Sequence, residues 1–217
     1  MCVIMEIEHI WNFITNYKYC DDCPLRGISK PILLKFKDRV NVMVITEGPN
    51  EEADPEFIAS IANHPTFTFL QAIFQGRLHV LGEKANAYWT HMRKCFIKTK
   101  SGQRLISRKS EGRALRICSR SYLLSEIKCV KPKLIVAVGR RAANFFSKYD
   151  YRLAGRIEEL VFKGGGIFDK VAIEGLATKI IVVPHPSGRS TIWTNLPENA
   201  REVIERISQE IVESLES

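Results

Sequence analysis

Cys20 and Cys23 are separated by two aspartates, and this Cys-x-x-Cys spacing lets two thiolates reach one metal centre. Cys95 follows a predicted strand, and Cys118 lies on a predicted helix. If the fold brings these two thiols beside the first pair, the four would form a Cys₄ site. Such a site suits either zinc or a [4Fe–4S] cluster. The ordinary alternative is that Cys95 and Cys118 are simply buried thiols.

The compartment decides whether cysteines favour metals or disulfides. The N-terminal sequence carries acidic residues and no basic region before an apolar run, so it does not resemble a signal peptide. No apolar run approaches the ~18 residues that a membrane span needs. We therefore expect a cytoplasmic protein that does not bind membranes, and interpret the remaining Cys2 and Cys129 as structural.

The positive charge of the 217-residue chain is concentrated in one segment. The formal net charge is +8, but residues 93–141 contain fifteen Lys or Arg against two Glu, a net +13, and the rest of the chain sums to −5. A local excess of this size favours a polyanionic partner, most often nucleic acid. The alternative is a solvated basic face with no partner.

Alternating strand and helix patterns predict a single α/β domain over residues 1–217, with a three-layer α/β/α sandwich and a central, mostly parallel four-stranded sheet. Apolar, β-branched runs predict strands at 40–46, 87–92, 134–138 and 179–183. Helical periodicity fits 6–17, 67–78, 112–129, 140–148 and 197–215. Residues 163–174 read as a hairpin or a loop. Ligands of such sheets bind beyond the carboxyl ends of the strands, so the loops after 46, 92, 138 and 183 matter most.

Several short segments, in order along the chain from about residue 20 to 190, resemble the motifs of family-4 uracil-DNA glycosylases. Residues 46–54 (TEGPNEEAD) are similar to the family's first motif, and 185–190 (HPSGRS) to its His-Pro-Ser motif. Residues 20–25 (CDDCPL), Lys94-Cys95 and Ile117-Cys118 match its cluster cysteines, and 131–143 its Pro-Lys strand and Gly-Arg-x-Ala helix start. The resemblance implies a structural [4Fe–4S] cluster on Cys20, Cys23, Cys95 and Cys118, and the flipping of a damaged base out of DNA.

The resemblance also implies roles for individual residues. His185 would donate a hydrogen bond to the departing base, and Glu47 would position water or hold the flipped nucleotide; without the motif, they read as a turn histidine and a helix-capping carboxylate. Base and nucleotide contacts would come from Gly48, Pro49, Asn50, Phe67, His91 and Ser187. DNA contacts would come from Lys98, Lys100, Arg104, Arg189, Ser190, Ile192 and Trp193, the last of which could equally be a core aromatic.

Three positions depart from the family pattern. Thr46 and Asn50 replace two motif glycines, and His91 stands where uracil-reading members carry Asn. A neutral histidine has one donor and one acceptor on opposite sides of its ring, so it cannot read both groups of uracil as an amide does. We therefore expect weak uracil excision and a shift towards a purine-derived base such as hypoxanthine.

Three functions remain open at this point. The first is a monofunctional DNA glycosylase, monomeric, acting on uracil or another deaminated base. The second is a catalytically weak or inactive iron–sulfur protein of the same superfamily that only binds DNA. The third is a zinc-stabilised RNA-binding protein of unrelated ancestry.

Overall fold

A five-stranded sheet organises the described part of the chain. The computed structural model describes residues 2–18, 20–36, 39–49, 61–98, 101–186 and 196–216, with the side chains of residues 2–6 excepted. The strands are β1 (Val42–Thr46), β2 (Ala87–His91), β3 (Leu134–Val138), β4 (Ile167–Ile173) and β5 (Leu176–Val183). They lie in the order β2-β1-β3-β5-β4, and every neighbouring pair is parallel except β4 with β5.

Strands β1, β2 and β3 are buried along their whole length. Because successive side chains of a strand point to opposite faces, burial of every residue means that both faces of the sheet are covered. The continuous apolar run of β3 (LIVAV) is therefore what a central parallel strand requires. This confirms the predicted three-layer α/β/α class with a mostly parallel sheet.

The prediction of four strands was wrong, because β4 adds a fifth at the edge of the sheet. It lies in the segment 163–174, which was predicted to be a hairpin or a loop by itself, and forms an antiparallel hairpin with β5. Glu174 and Gly175 make the two-residue turn, with φ of 49° and 87°. The register shifts between Phe168 and Val171, so this exposed edge strand does not show a clean apolar alternation.

Each of the five predicted helices is present in the described residues, but their ends differ, and the one predicted at 112–129 is divided into two α-helices. The α-helices are α1 (Cys2–Thr15), α2 (Pro65–Ile73), α3 (Arg108–Cys118), α4 (Leu124–Val130), α5 (Arg140–Phe146) and α6 (Ala200–Glu216). Ser107 caps α3 through its side chain, so this helix begins before residue 112. A π-helical turn, Ser119–Leu123, separates α3 from α4. Within the described ranges, no helix has the length and apolar character to cross a bilayer.

The parallel register brings chemically interesting residues to one edge of the sheet. Thr46, the last residue of β1, pairs with His91, the last residue of β2. His185 follows β5, and the backbone N–H of Gly139 after β3 donates to Val183 O over 2.8 Å. The strand ends predicted to hold a ligand are thus neighbours in space.

Candidate active site

A cavity of about 340 Å³ opens at the carboxyl ends of β1, β2 and β5. The residues predicted to contact a base or nucleotide that line it are Gly48, Pro49, His91 and His185. Other lining side chains, which the sequence analysis did not place there, include His64, Trp89 and Arg93. The volume lies within the range of small-ligand sites. The cavity can therefore enclose a single flipped base.

The loop after β1 is tied to the segment after β2. Thr46 O accepts from the Met92 N–H over 2.8 Å, and Glu47 O accepts from the Arg93 N–H over 3.0 Å. A Cβ on Gly48 would lie 2.4 Å from an Nη atom of Arg93. The arginine side chain therefore passes against the loop backbone, and a larger residue at position 48 would have to displace its guanidinium.

His91 is buried, with 5% of its surface exposed, and Thr46 holds its ring. The distance from Thr46 Oγ1 to His91 Nδ1 is 2.5 Å. The Trp89 indole N–H donates to the same hydroxyl over 3.3 Å, and Thr90 O is farther from the hydroxyl, at 3.5 Å. Because indole can only donate, the Thr46 hydroxyl has two acceptors for its own hydrogen, His91 Nδ1 and the more distant Thr90 O. With His91 Nδ1 as the acceptor, the proton of the neutral imidazole is on Nε2.

Two of the cavity histidines, His91 and His185, favour the neutral form. Burial lowers the pKa of His91 well below its usual value, and the positive charges of Lys94 and Arg93 lower it further. Burial is also the main cause that lowers the pKa of His185. A Cβ on Gly139 would approach His185 Cβ to 3.1 Å, so the glycine after β3 leaves room for this ring. The lowered pKa values therefore favour imidazole over imidazolium at His91 and His185.

Glu47 is at the margin of this site and does not line the cavity. Its carboxylate accepts from Arg141 at 2.5 Å, and Arg141 lies 3.5 Å from Glu111. Arg141 is in the first turn of α5, which begins at the edge of the sheet. The sequence analysis did not predict this pairing, because residues 47 and 141 are far apart in the chain.

Phe67 also lies away from the cavity lining. Its ring stacks on Trp89, with centroids 6.2 Å apart and planes at 17°. Trp89, which does line the cavity, is therefore the aromatic that can face a base. From sequence, an aromatic residue on a buried strand is expected to pack in the core, so nothing in the pattern marked Trp89 as a cavity residue.

The predicted DNA contacts are only partly within the described residues. Lys98 lines the cavity and pairs in an isolated bridge with Arg104, whose guanidinium donates to Glu111 over 2.5 Å. The positive charge of Arg104 is therefore partly neutralised. Outside the described residues lie the predicted base and phosphate contacts Asn50 and Ser187, and the predicted DNA contacts Lys100, Arg189, Ser190, Ile192 and Trp193.

A second, small cavity of about 10 Å³ is lined by all four predicted cluster cysteines, Cys20, Cys23, Cys95 and Cys118. The buried Cys129 does not line it. A single zinc ion needs four thiolates about 3.8 Å apart, given a Zn–S bond of about 2.3 Å. Among the described residues, no three Cys, His, Asp or Glu side chains converge closely enough for a single ion.

Neighbouring groups already bond to these thiols. The Lys94 N–H donates to Cys118 Sγ over 3.3 Å, and Cys20 Sγ lies 3.4 Å from the Tyr122 hydroxyl. The hydrogen bond from Cys20 lowers the pKa of Cys23 to about 6, whereas burial raises the pKa of Cys95 to about 12. The four thiols thus differ strongly in how readily each loses its proton. Four thiols around one cavity and a backbone amide donor are a donor set that would suit a [4Fe–4S] cluster.

Comparison with known proteins gives the family. A model described as the Uracil DNA glycosylase superfamily matches residues 35–208, which include both loops of the cavity and two of the four clustered cysteines. No curated protein is significantly similar to the chain. The match excludes the hypothesis of a protein with no glycosylase ancestry. Because it covers most of the chain and the whole sheet, this protein belongs to the Uracil DNA glycosylase superfamily.

Proposed function

We propose that this protein is a monofunctional DNA glycosylase that hydrolyses the N-glycosidic bond of a deaminated base. The observation that carries the proposal is the pair of neutral histidines, His91 and His185, in one base-sized cavity beside Gly48. The target base would leave the stack and enter this cavity, at a cost of a few kcal/mol. We further propose that it acts as a cytoplasmic monomer.

The reaction needs charge stabilisation and a placed water rather than covalent catalysis. Neutral His185 would donate a hydrogen bond to the base oxygen on which negative charge develops. Glu47, oriented by Arg141, would position the attacking water or hold the sugar at the cavity margin. The positions of His185 in the cavity lining and of Glu47 at its margin support these roles.

The hydrogen bond between Thr46 and His91 bears on which base is accepted. With Nδ1 engaged, His91 would offer the base a single donor, Nε2–H, and no acceptor. A carbonyl oxygen satisfies that donor, but the ring N–H of uracil would lose a partner, at a cost of about 1–3 kcal/mol. We propose weak excision of uracil. Hypoxanthine presents the same pair of groups, a carbonyl oxygen beside a ring N–H, so we propose it as an alternative substrate that this contact does not by itself favour.

We also propose that Cys20, Cys23, Cys95 and Cys118 hold a [4Fe–4S] cluster. When bound, it would supply a rigid cross-link between residues 20–25, the segment after β2 and the end of α3. Its support is the common cavity of four thiols and the Lys94 amide donor. Protein purified without oxygen should contain about four irons per chain. One zinc and no iron would overturn this proposal.

Alkali-induced strand cleavage tests the glycosylase itself. Duplexes would carry one uracil, hypoxanthine, xanthine or mismatched thymine. We expect the wild type to cleave at least one of them, and His185→Ala to abolish cleavage while duplex binding is kept. His79→Ala, which changes an exposed histidine outside the cavity, is the matched control. If the wild type binds duplex DNA and releases no base, the non-catalytic function replaces this proposal.

A further inference from the structure

Arg93 lies inside the candidate active site, although its sequence context marks it only as one of many basic residues. It is 4% exposed and lines the cavity together with Gly48, His91 and His185, and it also borders the small cavity of the four cysteines. An arginine is rarely buried without an anionic partner, because removing its charge from water is costly.

The partners of Arg93 leave part of its guanidinium group available. One Nη donates to the backbone O of Cys95. Its Nε is buried and has no hydrogen-bond partner among the described residues. No carboxylate of the described residues forms an ion pair with it. Glu47 pairs with Arg141, and Glu111 pairs with Arg104 and Arg141.

The loop of the first motif is shaped around this side chain. A Cβ at Gly48 would lie 2.4 Å from one Nη of Arg93 and 2.7 Å from Cζ. The backbone of Gly48 is not in the left-handed region, so close approach of the guanidinium accounts for the glycine. The cavity therefore contains a fixed cation next to the loop that would hold the flipped nucleotide.

We propose that Arg93 is a catalytic residue that stabilises the negative charge developing on the departing base. The inference rests on the proposed glycosylase function. When the bond between C1′ and the base nitrogen breaks, its electron pair moves onto the base. The guanidinium donates to the resulting anion, while water adds its oxygen to C1′. The proton that this water releases later neutralises the base.

A fixed cation in the cavity also defines a substrate class. It favours bases that leave as stabilised anions, namely the oxo bases uracil, hypoxanthine and xanthine. It disfavours bases that carry positive charge before they leave, such as alkylated purines, because like charges repel in a site shielded from water. The expected substrates are thus products of deamination rather than of alkylation.

Single-turnover release of uracil and of 5-fluorouracil from duplex DNA tests the catalytic role. Arg93→Met should slow uracil release about 100-fold, the usual effect of removing a donor to a developing anion. The loss should be smaller for 5-fluorouracil, whose anion is more stable without help. Arg201→Met, at an exposed arginine of α6 outside the cavity lining, should change neither rate. Equal losses for both bases would indicate a structural role and overturn the proposal.

Gly48→Ala moves the same guanidinium without changing its charge. It should slow release in the wild-type background and have little further effect in Arg93→Ala, because the two changes act on one contact. Independent effects in the double variant would contradict the geometry on which the inference depends.

Calorimetry can test anion binding by Arg93 independently of hydrolysis. Free 5-fluorouracil or xanthine is titrated into the protein in the presence of a duplex that contains an abasic site. Each base is titrated on the acid and the alkaline side of its ionisation. The wild type should bind the anion more tightly than the neutral base, and Arg93→Met should lose that preference. If no duplex is cleaved but the preference holds, hydrolysis is wrong and Arg93 remains an anion-binding residue. If neither base shows the preference, the role of Arg93 is wrong whether or not DNA is cleaved.

Discussion

Replacing Lys94 by Met should destabilise the protein far more than the loss of an ordinary ion pair. Lys94 and Glu126 are 1% and 0% exposed, and their Nζ and Oε2 atoms lie 2.5 Å apart. Lys94 Nζ also lies 2.5 Å from Thr90 Oγ1 and 2.6 Å from His91 O. The ammonium group therefore holds the end of β2 as well as the buried carboxylate.

The magnitude follows from what the substitution leaves behind. Glu126 would keep the hydroxyls of Tyr88 and Thr90 as donors but lose its counter-ion in a site without solvent. An uncompensated charge of this kind costs about 3–5 kcal/mol. This is a large share of the roughly 5–15 kcal/mol of stability that a domain has.

Urea unfolding, monitored by circular dichroism, measures the free energy of unfolding of the wild type and the variants, which are compared at equal iron content. The matched control is Lys179→Met, which removes a lysine ion pair with Glu210 whose side chains are 30% and 32% exposed. It should cost about 1 kcal/mol or less. Lys94→Met combined with Glu126→Gln should be more stable than Lys94→Met, because no buried charge is left unpaired. A loss no larger than that of the Lys179 control, or no recovery in the double variant, would refute the reasoning.

Three further predictions concern the candidate active site and the DNA interface. His91→Asn should raise uracil release about 5- to 150-fold, since one recovered hydrogen bond is worth about 1–3 kcal/mol. Unchanged single-turnover rates would place His91 outside base recognition. Burial lowers the pKa of His91 and of His185, so the unfolded chain binds more protons than the folded chain below about pH 6.5. The free energy of unfolding should therefore fall as the pH decreases, by up to about 1.4 kcal/mol per pH unit for each histidine. Thermal unfolding across this range should show a shallower slope for His91→Asn. Affinity for duplex DNA should fall steeply with salt, and Lys98→Ala should flatten the log–log slope by about one unit; a salt-independent affinity would contradict an electrostatic interface.

The sequence by itself determined the fold class and the place of the site. The apolar run 134–138 can only be a strand covered on both faces, and parallel strands of this kind place their loops at one edge. The sequence likewise identified residues that line two cavities. The first motif pointed to Gly48 in one, and the Cys-x-x-Cys spacing pointed to Cys20 and Cys23 in the other. The edge strand β4 was missed, because its bulge and exposed face weaken the periodic pattern.

The tertiary structure alone decided which side chains meet. Thr46 and His91 are separate departures from the family pattern in sequence, but the parallel register makes them hydrogen-bonded neighbours. Glu47 accepts a hydrogen bond from Arg141. Arg93, which the sequence pattern places among the basic residues of the segment 93–141, is a buried cation beside Gly48. The physical reason is that periodicity records which residues avoid water, whereas pairing between distant residues depends on strand order and register, which no local pattern contains.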